Sequence, residues 1–460
     1  MALLIRNGEI VTAAERYTAD VWCEDETITR IGPNLPAPPG AEVVDAAGKL
    51  VFPGFIDPHV HIHLPFMGTL AKDTYTTASR AALVGGTTTL IEMVCPARGD
   101  DPWEAYELWK ANAAGKSACD YAFHMGITRF DSGTEPMVRR VAADGTASLK
   151  IFLAYKGAFG IDDAELYQTL DLAKRLGLIV TAHCENAEIV ARLQQRLLAE
   201  GKTGPEWHEP SRPVTVEAEG VHHLATFAAL TGAHTYVVHT SCAEALAEAA
   251  AARERGLPMW VETVAPYLVL DRSYSELPNF EGAKYVMSPP LRELRHQEVI
   301  WDAIRSGLAS TVATDHAPFD FVGQKEMGRG DFTKIPNGIP SVEHRVHLLY
   351  THGVARGRLD LHRFVDAAST QAAQIFGMYP RKGTIAVGSD ADLVVFDPAY
   401  QGTITAAAQE MNVDYSAFEG WPITGRAETV AVRGKIQVQN GRFTGSTDHG
   451  QMLRRPATHA

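Results

Sequence analysis

Between residues 53 and 377 the chain repeats one alternation, a short apolar run followed by a stretch of helical periodicity. Eight apolar runs stand out: FIDPHVHI, TTTLIEMV, DYAFHMGI, SLKIFLAY, LIVTAHCE, TYVVHTS, PMWVETV and STVATDHAP. They do not alternate polar with apolar, as a parallel sheet buried on both faces requires. Helical patterns fall between several of them, such as DAELYQTLDLAKRLG and AEALAEAAAARERG, the latter with Gly256 as its C-cap. Eight strands with intervening helices predict an α/β fold, a (β/α)8 TIM-like barrel with insertions.

The flanks differ in texture. Residues 1–52 and 378–460 read as short alternating strands joined by turns, as in LLIRNGEIVT and TVAVRGKIQVQNGRF. The expectation is a smaller β-sandwich domain built from both chain ends, with the catalytic barrel at 53–377. The formal net charge of −13 argues against a nucleic-acid partner, which calls for a basic patch. Five scattered cysteines, with no CxxC pair, suit reduced thiols and a cytoplasmic location. The opening MALLIRNGEIVTAAERY has too short an apolar run for a signal peptide. No run of about 18 apolar residues occurs, so no membrane span is expected.

Polar residues arrive late in these strands. The first carries His59 and His61, the fourth Lys150, the fifth His183, the sixth His239 and the eighth Asp315. Barrel strands converge at their C-terminal ends, where catalytic groups sit. Four histidines and an aspartate meeting there make a metal-site signature. Strand geometry alone lets His59, His61 and His63 point the same way, so any two or all three are candidates. His124 and Glu92 also lie on strands, and a core or ligand-orienting role is expected for both.

Lys150 stands alone in an apolar strand, where lysines are rarely buried without a partner. Beside two cations its ammonium is repelled, and burial also favours the neutral amine. A neutral amine reacts with CO2 to form a carbamate, an anion with two oxygens able to bridge two metals. A carbamate leaves such a site far less positive than an ammonium does.

The segments GFIDPHVHIHLPFMG, SLKIFLAYKGAFG, TAHCENAE, GPEWHEPSRP, YVVHTSC, YVMSPPLR, VATDHAPF, IPNGIPSVEHRV and RKGTIAVGSDADLVVFDP span nearly the whole chain. In them the sequence resembles the cyclic amidohydrolases of the amidohydrolase superfamily, in particular the hydantoinase and dihydropyrimidinase group. The resemblance implies that His59, His61 and Asp315 ligate one metal, that His183 and His239 ligate a second, and that carboxylated Lys150 bridges them. Two divalent ions are expected, with zinc suited to the donors and manganese or cobalt compatible. The implied reaction opens a cyclic ureide to an N-carbamoyl amino acid by attack of a metal-bridging hydroxide. Asp315 then carries the proton, and Tyr155 stabilises the oxyanion. The backbones of Ser288 and Asn337 are implied to bind the ureido edge. Leu64, Phe66, Phe152 and Phe159 are candidates for the pocket around the exocyclic substituent.

Within the same class, dihydroorotase and allantoinase types are the alternatives. Those relatives carry an arginine two residues after the HxH motif, able to pair with a substrate carboxylate. Here that position is His63, which favours an uncharged ring. A non-catalytic assembly homologue would have lost ligands, whereas all six positions are filled here. The resemblance also implies a homotetramer, to which the tail after about residue 400 could contribute.

Overall fold

The computed structural model describes residues 2–459. All eight runs form strands: β1 Phe55–Val60, β2 Thr87–Val94, β3 Asp120–Gly126, β4 Ser148–Phe152, β5 Ile179–His183, β6 His234–Val237, β7 Met259–Val264 and β8 Thr311–Ala313. They pair in chain order as one parallel eight-stranded sheet. The sheet closes where Val60 bridges His316 and the His61 N–H donates to the His316 carbonyl at 2.8 Å. Strand residues are almost all buried, as sequential apolar runs with helices outside demand.

The helices begin and end where their local chemistry dictates. Asp162 caps the helix Asp163–Leu176 in a capping box with Glu165, and Gly177 ends it at φ 65°. The helix Ala243–Glu254 is capped by Arg255, so Gly256 sits one residue past the expected cap. Its φ of 82° explains the shift, because the left-handed residue belongs just beyond the cap.

Both chain ends build the second unit. Its strands hydrogen-bond into one nine-stranded, mostly antiparallel sheet. The two ends meet where Leu50–Pro53 pairs with 393–396. A bridge between Thr27 and Asp390 curls the sheet over its own core. Period-2 patterning divides the side chains: Val51, Leu393 and Val395 face that core, while Phe52, Val394 and Phe396 join the barrel's core. Phe52 packs against Phe55, Phe364 and Phe396 at 5.4–5.6 Å, fastening the unit to the barrel.

The final residues return to the barrel's N-terminal end. Leu453 N–H donates to the Tyr121 carbonyl at 2.7 Å, and Arg455 donates to the Phe123 carbonyl and to Ser148 Oγ. This strap covers the end opposite the catalytic mouth. Among the described residues no helix is long and apolar enough to cross a membrane.

Candidate metal centre

The strand ends bring His59, His61, Lys150, His183, His239 and Asp315 together, all buried. His59 is in β1 and His61 follows its last residue; His183 ends β5; His239 and Asp315 lie two residues past β6 and β8. His239, Asp315 and Tyr155 have φ of 38°, 51° and 58°. Left-handed backbone is costly for such residues and clusters at functional sites. Here it turns the chain sharply just as each strand leaves the barrel.

Two groups of donors face one another. His59 Nε2 and His61 Nε2 lie 3.2 and 3.1 Å from Asp315 Oδ1. His183 Nδ1 lies 2.9 Å from His239 Nε2. The His59 and His239 rings are 5.3 Å apart, so the groups adjoin. Burial pushes His59 and His239 well below the usual imidazole range and lowers His183 too, which keeps their nitrogens as free donors. Lys150 is fully buried with no hydrogen-bond partner, and burial pulls its amine down to about 8 against the opposing field of Asp315.

These residues fit divalent cations. His59 Nε2, His61 Nδ1, His239 Nδ1 and Lys150 Nζ are buried polar atoms without a hydrogen-bond partner, an expensive condition unless a ligand compensates it. The facing nitrogens of His183 and His239 equally call for a cation between them.

Further residues hold the donors in place. Glu262 accepts from Tyr236 Oη and the His239 N–H and lies 2.8 Å from His59 Nδ1. That contact directs His59 Nε2 inward. Glu185 lies 2.7 Å from His183 Nε2 and is ion-paired with Arg212. Burial alone would raise the Glu185 carboxyl; Arg212 and His183 overcome it and hold the group at about 2. Glu92 accepts the Ile62 N–H at 2.8 Å, and His124 bridges the Pro58 carbonyl and Ser148 Oγ. Both therefore brace the strands, as expected of them. His63 is half-buried, 5.9 Å from the Tyr75 ring, and does not line the cavity.

The cavity over the donors is lined by Leu64, Phe66, Phe152, Phe159, Tyr155, Ser288, Asn337 and, unanticipated, Cys95. Phe66 stacks on Phe159 at 6.0 Å. Asn337 Nδ2 donates to Ser288 Oγ at 2.9 Å. Among the described residues no internal hydrogen bond uses the backbone N–H or carbonyl of Ser288 or Asn337, although both residues are buried. Such groups are normally paired, so these edges are available to a ligand. A larger groove of about 620 Å³ lies alongside, but its charges are already matched in Arg98–Glu165, Lys156–Glu188 and His223–Asp163 pairs.

Residues 50–436 match the family model described as the Amidohydrolase family. The chain belongs to the amidohydrolase family. Within it, this chain is 47% identical to a D-hydantoinase of Geobacillus stearothermophilus, across 99% of this chain and 97% of that one. It is 37% identical to a dihydropyrimidinase of Rattus norvegicus, across 98% and 88%. A solved structure of a D-hydantoinase (dihydropyrimidinase) from Thermus sp. superimposes with a TM-score of 0.98 at 62% identity, covering 100% of both chains.

Glu262, Glu185, Arg212 and Cys95 were not singled out in the sequence. Glu262 had a readable signal, an acid near the end of the apolar run PMWVETV, just as Asp315 follows its own strand. Arg212 had none, because its partners are set by the fold.

Proposed function

We propose that this amidohydrolase is a cyclic amide hydrolase that opens 5-substituted hydantoins and dihydropyrimidines to N-carbamoyl amino acids. The observation that carries the reading is the constellation of buried, unpartnered nitrogens around Asp315 and Lys150, beneath a cavity whose upper edge offers unused backbone groups. Relatives named for both activities support it.

His59, His61 and Asp315 would hold one divalent ion, His183 and His239 a second, and carboxylated Lys150 would bridge the two. Zinc suits these donors best, with manganese or cobalt as substitutes. Such a pair supplies an acidified water and a polarised ring carbonyl at neutral pH. Asp315 accepts the proton of the attacking water and delivers it to the departing ring nitrogen. The Tyr155 hydroxyl donates to the oxyanion that develops at the carbonyl. The backbones of Ser288 and Asn337 bind the planar ureido edge, and Leu64, Phe66, Phe152 and Phe159 enclose the exocyclic substituent.

An uncharged ring is favoured because, among the described residues, no arginine lines the cavity and His63 occupies the position where carboxylate-binding relatives carry one. The test is a substrate panel of hydantoin, 5-substituted hydantoins, dihydrouracil, dihydroorotate and allantoin. Faster turnover of either of the last two overturns the choice. Protein grown with zinc that carries no metal would instead favour a non-catalytic assembly role. The resemblance also supports a homotetramer, and the five scattered cysteines a cytoplasmic location; a monomer in sedimentation velocity would remove the first part of the reading.

A further inference from the structure

Lys325 is fully buried, yet no acidic side chain pairs with it among the described residues. Its Nζ instead donates to three backbone carbonyls, Val286 at 2.9 Å, Pro336 at 2.7 Å and Gly338 at 2.7 Å. The Phe319 ring lies 6.0 Å away. Burial alone pushes its pKa well below the ordinary lysine value, but three carbonyl acceptors around Nζ call for three N–H donors, which only the ammonium has. An apolar side chain would fill the space without the cost of a buried charge, so the three charge-assisted bonds are what the position supplies.

The carbonyls belong to the two segments that carry Ser288 and Asn337. Val286 also accepts the Gly338 N–H at 2.9 Å, so the segments are already neighbours. Lys325 adds a fixed point between them. Lys325 takes the carbonyls of 336 and 338, on either side of Asn337, whose own carbonyl has no internal partner among the described residues. On the other segment the Met287 carbonyl lies 2.9 Å from His208 Nε2, and again the Ser288 backbone is left unused. Gly338 has φ 150°, and a Cβ there would lie 2.2 Å from the Ala317 carbonyl, so this strand of the clamp also abuts the loop after β8.

We propose that Lys325 is a positioning residue for substrate: its ammonium acts as a built-in cation that locks segments 286–288 and 336–338 at one spacing, with the backbone edges of Ser288 and Asn337 aimed at the bound ring. This rests on the reading of the site as one that opens cyclic ureides. Lys325 does not touch the metal donors, so its loss weakens ring binding and leaves the chemical step largely intact.

The experiment compares wild type with Lys325→Met and Lys325→Ala, using hydantoin and dihydrouracil. Bound metal and melting temperature are measured alongside. The expected result for Lys325→Met is about a tenfold rise in KM with kcat within about threefold and metal content unchanged. Lys325→Ala leaves the carbonyl tripod around a space that methylammonium fits, so added methylammonium lowers its KM while tetramethylammonium, too large and without N–H donors, does not. Lys325→Leu, equally apolar and without N–H donors, replaces Lys325→Met if that variant does not fold. A folded variant with unchanged KM overturns the inference, as does a loss confined to kcat or metal, or a KM defect that methylammonium leaves untouched. Wild type inactive on both rings sinks the functional reading itself, and this inference with it.

Discussion

The guanidinium of Arg212 stands 5.4 Å over the ring of Tyr155 while its Nη1 pairs with Glu185. One cation thus braces both the phenol assigned to the oxyanion and, through Glu185, the His183 imidazole.

Arg212→Met should therefore damage two functions together. It leaves Glu185 buried beside His183 without its permanent cation, a defect worth about 3–5 kcal/mol. The expected result is a 10- to 100-fold weaker second metal site, together with a fall in kcat. Metal titration of the chelated protein measures the first, and steady-state kinetics at saturating metal the second. An unchanged metal affinity would remove Arg212 from the support of His183.

Tyr155→Phe removes only the hydroxyl, which lies among the Ser288 and Asn337 side chains. The expected fall is about 100-fold in kcat with little change in KM, as the loss of a transition-state donor produces. Equal binding of a product analogue by variant and wild type checks that the pocket is intact. An unaltered kcat rules the role out.

Lys150→Ala should lose most bound metal and most activity. Acetate or propionate at high concentration should restore part of both, by placing a carboxylate where the proposed carbamate would stand. Full activity without added acid would show that no bridge is needed.

Carboxylation of Lys150 requires the neutral amine, and its pKa of about 8 lies well below the usual lysine value of 10.5. Below that pKa the ammonium dominates and cannot react with CO2. Reconstitution of metal-free enzyme with bicarbonate and zinc should therefore quicken from about pH 6 to about pH 8 and then level off. Stopped-time activity assays at a fixed dissolved CO2 concentration read this directly. A rate independent of pH over that range would contradict it.

Much of the architecture is legible before folding is considered. The barrel announces itself because each parallel strand must be apolar on both faces, and the donors stand out as the few polar residues at the ends of such strands. His59, His61, Lys150, His183, His239 and Asp315 were all readable in this way. The supports are harder to read. Arg212 meets Glu185 27 residues away and Lys325 meets carbonyls 11 or more residues away, and nothing local marks which carboxylate or carbonyl they will meet. Strand ends were placed too late for the fourth run: β4 stops at Phe152, so Tyr155 belongs to the turn beyond, where its left-handed φ sets its direction. The return of residues 449–459 to the barrel is equally silent, because QMLRRPATHA has no periodicity to betray a strand.

That return, with the pairing of Leu50–Pro53 to 393–396, has a consequence for how the protein is made. A ribosome adding roughly 5–20 residues per second leaves the first strands waiting tens of seconds for their partner. Tyr121 waits nearly as long for Leu453. Neither the curled sheet nor the base of the barrel can be completed until these late segments have been made. The nascent chain exposes unpaired strand edges through that interval, and slower elongation would lengthen its exposure to self-association.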